Sequence, residues 1–374
     1  MRESDKLFFD KLTKDRNETA QTLDKPSCRG VKQSVVEKYS DQAHFIYELL
    51  QNADDAKATN ARFVLEPDRL IFAHNGTRCF SVSDPEKEEM DMLSGRLGDI
   101  NAIASIGNSN KVKESSIGKF GVGFKAVFQY TATPYIYDPE FCFKIEKFIV
   151  PVLIEEDFPE RKQNETLFVF PFNHPDMSAE KSYEDIADKL ENLSYPLLFL
   201  SNLHEIEFKF GNIEGRYDKN IVKIFKYETA KAEFICLTNK IGEKSCCEDL
   251  LLFSRSDECN RNFSVGFFLD SDGHLKPVTK PAFCFFPTKE NTGLNFIIHA
   301  PFLLNDSREG IRAGKSHNDQ MILKLADLAA DAMYYLLDIG QKESLRLIDD
   351  TIVNIIPINE ETFSDPADKS KISF

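Results

Sequence analysis

"SSIGKFGVGFKAVFQY", residues 115–130, sets three glycines in six positions (Gly118, Gly121, Gly123) and then turns apolar at helical spacing. Glycine inside an ordered segment costs conformational entropy and leaves the main chain bare. A bare backbone at the mouth of a helix suits either a tight turn or the close approach of a ligand. Two phosphate-binding signatures do not fit. The dinucleotide fingerprint requires G-x-G-x-x-G directly after a strand. Here the order is G-x-x-G-x-G, and the polar run "NKVKESS" precedes it. The string "GIRAGKS", residues 310–316, is one residue short of a P-loop and has no strand immediately before it. Taken alone, the glycines fit a turn before a buried helix at least as well as a binding loop.

Upstream lies "YELLQNADDA", residues 47–56. Glu48, Asn52 and Asp55 are spaced four and then three apart and so share one face of a helix. Ile46, Leu49, Leu50 and Ala53 take the other side. An acid and an amide one turn apart can serve a metal and a water. The Asn52 carbonyl oxygen suits Mg²⁺, which prefers oxygen ligands. Glu48, ionised at neutral pH, can take a proton from a water aligned on phosphorus. Read singly, the same face is an ordinary solvated one.

Taken together, "ELLQNADDA" and "IGKFGVGF" closely resemble the helix motif and glycine-rich lid motif of the Bergerat-fold ATPases. That superfamily includes DNA gyrase, the ninety-kilodalton heat-shock chaperones, histidine kinases and the MutL mismatch-repair proteins. Order and separation agree, and a hairpin and a polar lid-like segment lie between the two motifs. The resemblance implies that Glu48 is the general base and Asn52 the Mg²⁺ ligand, with ATP as substrate. It further implies phosphate contacts from Gly118, Gly121 and Gly123, where backbone N–H groups and a helix N-terminus cradle anionic oxygens. Asp55, Gly76 and Lys111, and the loop residues Lys119, Phe120, Val122 and Phe124, belong to the same implied nucleotide site. Thr166, in "NETLFVF", matches the threonine that reaches the base through water, although Glu165 stands where the family usually has glycine. "FLLNDSREGIR", residues 302–312, resembles the heat-shock chaperone loop ending in Ser-Arg-Glu. Arg308 matches the arginine that crosses to the γ-phosphate, a contact suited to a planar guanidinium. The wider wording "FPTKENTGLNFIIHAPFLLNDSRE" looks most like the sacsin-type branch, some of whose bacterial relatives belong to antiviral systems. Histidine kinases fit less well, because no phospho-acceptor helix precedes the motifs.

One position departs from the pattern. Where the superfamily has Asp-x-Gly to accept the adenine amino group, this chain has His74, Asn75 and Gly76. A neutral imidazole accepts one hydrogen bond but lacks the carboxylate's charge and second oxygen. An unperturbed histidine titrates near ~6.5, so a base-reading His74 implies nucleotide affinity that falls from about pH 8 to about pH 6.

Bulk composition agrees with a soluble globular protein rather than a disordered one. The 374 residues are 42% hydrophobic and 29% charged, enough for substantial cores and two domains. A net charge of −15 argues against a general grip on nucleic acid. The eight cysteines form no CxxC pair, so their spacing carries no zinc signature and reads as reduced thiols of a cytoplasmic protein. "MRESDKLFFDKL" lacks the apolar core of a signal peptide, and no stretch approaches membrane-spanning length.

The expected fold is α/β. Residues 1–205 form a nucleotide-binding two-layer sandwich with a mixed, mainly antiparallel sheet and a lid at about 84–117. Residues 206–345 form a middle or transducer-like α/β domain, and 346–374 a tail or the start of a further region. Within this frame a helix is expected over about 34–57, a hairpin in "ARFVLEPDRLIFAHNG", and a helix after the glycines. Strands are expected at "PYIYD", "FCFKIEKFIVPVLI", "TLFVFPF" and near 196–200, then in "HEIEFKF", "AEFICLT", "NFSVGFFL" and "LNFIIHAPFLL". Helices are expected in "SYEDIADKLENL" and over about 317–338. The implied activity is Mg²⁺-dependent ATP binding and slow hydrolysis, driving lid closure and contact with a second copy or a protein partner. The alternative is a non-hydrolysing nucleotide-binding or scaffold module that has lost adenine recognition.

Overall fold

The computed structural model describes residues 2–28, 30, 44–105, 123–305 and 310–356. The chain forms two compact units, one of residues 1–193 with 200–216, the other of residues 194–199 with 217–374. The sequence boundary near 205 lies within a stretch over which the chain passes between the units three times, after residues 193, 199 and 216.

In the first unit the expected hairpin is present. Strand β1 (Asn60–Glu66) and strand β2 (Arg69–His74) pair antiparallel, from Ala61 opposite His74 to Glu66 opposite Arg69. Strand β6 (Thr166–Pro171) lies on the other side of β2, followed by β3 (Tyr135–Tyr137), β4 (Cys142–Glu146) and β5 (Val150–Leu153). Strand β7 (Glu205–Phe210) runs parallel to β1 at the opposite side. All the other pairings are antiparallel.

Both faces of the central strands are covered, so β2 and β6 read as continuous apolar runs rather than alternating ones. Phe72, Phe168 and Phe170 point to one face, where their rings meet Phe45 and Phe124. Ile71, Ala73, Leu167 and Val169 form the opposite cluster with Tyr137. Helix α2 (His44–Asp55) covers the first face, with Ile46, Leu49, Leu50 and Ala53 each no more than 1% exposed. Of the helix expected over 34–57, residues 34–43 lie outside the described residues, and 56–57 form a turn after α2.

Three details differ from the sequence reading. The apolar run after the glycines is a short 3-10 helix, Gly123–Gln129, rather than an α-helix. Residues near 196–200 form turns; Leu197, Leu198 and Leu200 are apolar because they are buried, not because they lie in a strand. The N-terminal segment forms helix α1 (Glu3–Leu23), which buries Phe9, Leu12, Arg16 and Ala20 along one stripe. Its Phe9 ring stacks on Phe141 and meets Phe143 edge-on, and Thr13 donates to the Pro151 carbonyl at 2.8 Å.

The lid-like segment carries a 3-10 turn and two short helices, α3 (Glu88–Leu93) and α4 (Asp99–Ile103), over its described part. Helix α5 (Ala179–Glu191) matches the helical reading of "SYEDIADKLENL", and Ser178 caps its N-terminus.

The second unit is mainly strands with one long helix. Strands β8 (Ile213–Lys226), β9 (Lys231–Ile241), β10 (Lys244–Ser256) and β11 (Asn262–Leu269) follow one another in the sheet, and β11 also pairs with the short β12 (Leu275–Lys276). Beyond β11 come β15 (Ile297–His299), β13 (Pro281–Cys284) and β14 (Phe286–Asn291). Helix α6 (Ser316–Glu343) buries Met321, Leu325, Leu328, Ala332, Leu336 and Ile339 against the core that includes Phe253, Val265 and Phe267. His299 stacks on Phe199 at 4.4 Å, in keeping with a structural histidine.

Candidate functional site

Helix α2 organises the candidate site. Its apolar face locks it to the sheet, which leaves Glu48 and Asp55 partly buried and Asn52 6% exposed along one side. At the first of these positions two distant stretches meet. A Cβ built on Gly123 would collide with the Glu48 carboxylate, and even Glu48 Cγ would lie 3.2 Å away. Only glycine lets the end of the glycine-rich segment run beside this carboxylate.

At the other end of α2, Gly76 packs against the helix terminus. A Cβ there would lie 2.8 Å from Ala56 Cβ, and the Thr77 N–H donates to the Ala56 carbonyl at 2.9 Å. The Gly76 N–H in turn donates to His74 Nδ1 at 3.1 Å. That bond makes Nδ1 the acceptor, so the neutral ring carries its proton on Nε2. His74 is 3% exposed, and burial pulls its pKa down to about 4, with the nearby Glu165 charge opposing. The histidine is therefore neutral throughout the pH 6–8 range in which the sequence suggested titration.

Across the sheet His74 stands directly opposite Thr166. Thr166 Oγ1 donates to Asp138 Oδ2 at 2.9 Å, while Asp138 Oδ1 accepts from the Phe80 and Glu140 N–H groups. Burial raises the Asp138 pKa against these bonds. Glu165, at the position where glycine was expected, makes a bidentate pair with Arg62 at 3.0 and 2.9 Å. The departure is thus accounted for by a charge partner on β1, reached across β2.

Asp55 is the most perturbed acid of the group. Its Oδ2 is buried without a hydrogen-bond partner among the described residues, and its pKa rises to about 7. Burial is the main cause and the neighbouring Asp54 charge the second, with Arg78 acting in the other direction. Buried polar atoms are ordinarily paired, so an orphaned carboxyl oxygen beside Asn52 marks a place where a ligand's donor or cation would be welcome.

The described residues thus bring together Glu48, Asn52, Asp55, His74, Gly76, Gly123 and Thr166 along α2 and the adjoining strand ends. Phe124 belongs to the aromatic core instead: it is 1% exposed and its ring faces Phe168. Lys111, Gly118, Lys119, Phe120, Gly121, Val122 and Arg308 lie outside the described residues. The residues flanking Arg308 are tied together in the second unit. Asn305 N–H donates to the Gly310 carbonyl at 2.8 Å, and Leu304 bridges Ile311. Asn318 on α6 accepts from the Leu303 N–H and donates to the Leu303 and Arg312 carbonyls.

Two important residues carry no motif signal. Asp54 looks like the twin of Asp55, yet its carboxylate accepts the N–H groups of Ser201, Asn202 and Leu203 and so anchors α2. Lys125 follows Gly123 and Phe124 and is fully buried, donating to the Phe148 carbonyl at 2.7 Å. Burial lowers its pKa to about 7. A sequence offers no means to tell these roles from solvated ones.

Comparison with known proteins places residues 26–145, which include α2, the hairpin and the glycine-rich stretch, in agreement with the Sacsin domain family model. Two relatives extend this. The chain is 27% identical over 338 residues to Protein NO VEIN of Arabidopsis thaliana, covering 79% of this chain and 11% of that protein. It is 30% identical over 120 residues to Sacsin of Homo sapiens, covering 29% of this chain and 2% of that protein. The chain thus spans only a small part of the length of either relative. Among the described residues no helix is long and apolar enough to cross a membrane.

Proposed function

We propose that the first unit is a Bergerat-type ATPase module that binds Mg-ATP and hydrolyses it slowly. The observation that carries this reading is the contact of Gly123 with the Glu48 carboxylate. It joins the glycine-rich segment, suited to phosphates, to the acid suited to activate water. Glu48 is the general base, positioned by the buried face of α2. Gly123, with the loop preceding it, supplies the close backbone approach that phosphate oxygens need. Oxygen donors from Asn52 and the orphaned Asp55 carboxyl fit Mg²⁺, and these two residues would hold it. When bound, the ion supplies charge neutralisation on the phosphate oxygens. His74, Gly76 and Thr166 line the base end, and Arg308 is the proposed transition-state cation. Nucleotide-dependent ordering of the lid would make the protein a clamp-like or chaperone-like switch in the cytoplasm. It would act on a second copy or a protein partner, and a place in a larger defence protein is consistent with that reading.

One observation favours a modified version in which adenine is no longer preferred. The His74 Nδ1 lone pair is already taken by Gly76, so this position offers a donor where the family offers an acceptor. Isothermal titration with ATP and GTP, each with and without Mg²⁺, together with phosphate-release assays, tests both versions. Absence of Mg-dependent binding of either nucleotide would overturn the reading.

A further inference from the structure

The second unit holds a side-chain cluster that the nucleotide reading does not use. Strands β9 and β10 are joined by a two-residue turn at Gly242 and Glu243, with Gly242 at φ +57°. Glycine suits this left-handed position. The tight turn fixes the register, setting Cys236 directly opposite Asp249 and Thr238 opposite Cys247. In an antiparallel ladder, opposed residues share a face and so do residues two apart along a strand. Cys236, Cys247 and Asp249 therefore project from the same face of the hairpin. The two sulfurs lie 2.9 Å apart, and all three ligand atoms fall within 4.8 Å of one another. Cys236 and Asp249 are half-buried, and Cys247 is exposed.

We propose that Cys236, Cys247 and Asp249 form a binding site for a thiophilic divalent cation, with Zn²⁺ as the natural occupant. Two thiolates and a carboxylate match zinc's preferences, and three protein ligands leave a fourth tetrahedral position for water or a partner's side chain. Zinc–sulfur bonds of about 2.3 Å put two thiolates roughly 3.7 Å apart at the tetrahedral angle. The present 2.9 Å separation needs only a small opening of two side chains on a rigid ladder. Binding displaces both thiol protons to solvent. The eleven-residue spacing resembles no zinc signature because the proximity comes from hairpin register, not from a local loop.

The test uses Co²⁺ as a spectroscopic stand-in for Zn²⁺, added to the reduced full chain. One equivalent should bind with a thiolate-to-cobalt charge-transfer band, and Zn²⁺ should displace it. Cys236→Ser and Cys247→Ser should each abolish the band, while Cys246→Ser on the neighbouring position should retain it. Asp249→Asn should weaken cobalt binding at least tenfold, since even partners outside the coordination shell are commonly worth ~10–100-fold. Cys247 is exposed, so its serine variant should fold as the parent does, and thermal melting without metal checks this. The proposal is overturned by absence of the band in the parent chain, or by its survival in Cys236→Ser or Cys247→Ser. It is equally overturned if peroxide joins the two thiols as a disulfide but the reduced protein takes up no cobalt. None of these readouts depends on ATP, so failure here leaves the nucleotide proposal untouched.

Discussion

Gly123 runs so close to Glu48 that the glycine has no room for a side chain, although the two residues lie 75 positions apart in the sequence. The contact can be probed without any assay of function. Gly123→Ala should destabilise the first unit by about 1–3 kcal/mol, the usual cost of overpacking. Because the offending atoms belong to the Glu48 carboxylate, Glu48→Ala should remove most of that penalty in the double variant. A thermodynamic cycle from urea melts measures this coupling. Strict additivity of the two changes would mean that the residues do not touch.

Glu48→Ala should lower ATP turnover by roughly 10²–10⁴-fold, the range of a general-base contribution, with ATP affinity nearly intact. Asn52→Ala should instead weaken Mg-ATP binding while leaving metal-free nucleotide binding close to the parent. Calorimetry separates the two. Equal turnover in Glu48→Ala, or equal Mg-ATP affinity in Asn52→Ala, removes that residue from its role.

Asp55 makes a prediction about pH. Its carboxyl has a pKa of about 7 in the fold against an ordinary value of 3.8 in the unfolded chain, so the native state holds the extra proton between those values. The stability this gives is complete below about pH 4, falls as pH rises to 7, and is absent above. Asp55→Asn keeps the group neutral. The variant should equal the parent near pH 4 and exceed it at pH 8 by as much as roughly 4 kcal/mol, because a tenfold change in proton affinity is worth about 1.4 kcal/mol. Burial is the main cause of the raised pKa, with the Asp54 charge adding to it and Arg78 opposing. Melts of both proteins from pH 4 to 8 give the answer, and parallel curves would exclude a raised Asp55.

Asn318 should matter beyond stability if Arg308 acts on phosphate. Its amide holds Leu303 and Arg312 on the two sides of the segment that carries Arg308. Arg308→Ala should slow turnover at unchanged ATP affinity. Asn318→Ala should do the same more weakly, because it loosens the support and leaves the cation present. A loss of ATP affinity in Asn318→Ala equal to its loss of turnover would point to general unfolding instead.

Much of this arrangement was legible in the residues. The amphipathic spacing of Ile46, Leu49, Leu50 and Ala53 and the turn at Pro67 and Asp68 were enough to place α2 and the first hairpin. The apolar run at 196–200 misled because burial alone, without pairing, also selects leucine. The run after Gly123 kept its apolar character but formed a tighter helix than its spacing suggested. Asp54 and Asp55 are chemically identical neighbours, and only tertiary contacts separate the anchor from the orphan. The closeness of the Cys236 and Cys247 sulfurs depended on a two-residue turn that composition does not fix.

His74 carries the last prediction, and the structure removes the pH dependence expected of its nucleotide contact. A histidine that accepted from adenine and titrated near neutrality would bind ATP more weakly at pH 6 than at pH 8. Here Nδ1 accepts from Gly76, and burial holds the pKa at about 4. The ring is neutral at both pH values, so ATP affinity should show no His74-dependent change between them. Its titration should appear in stability instead. A folded-state pKa below the usual ~6.5 gives stability that is present above 6.5 and lost as pH falls toward 4. His74→Phe should remove that acid-side loss, since phenylalanine does not titrate and Phe72 and Phe168 already flank the site. At the base end, the Nε2–H is a donor, which suits the guanine carbonyl oxygen better than the adenine amino group. The ratio of GTP to ATP affinity should therefore exceed that of His74→Asp, whose carboxylate restores an acceptor. Titrations of parent and His74→Asp with both nucleotides at pH 6 and pH 8 measure both effects. A marked pH dependence in the parent, absent from His74→Asp, would mean that Nδ1 is free of Gly76 and that the ring reads the base as an acceptor after all.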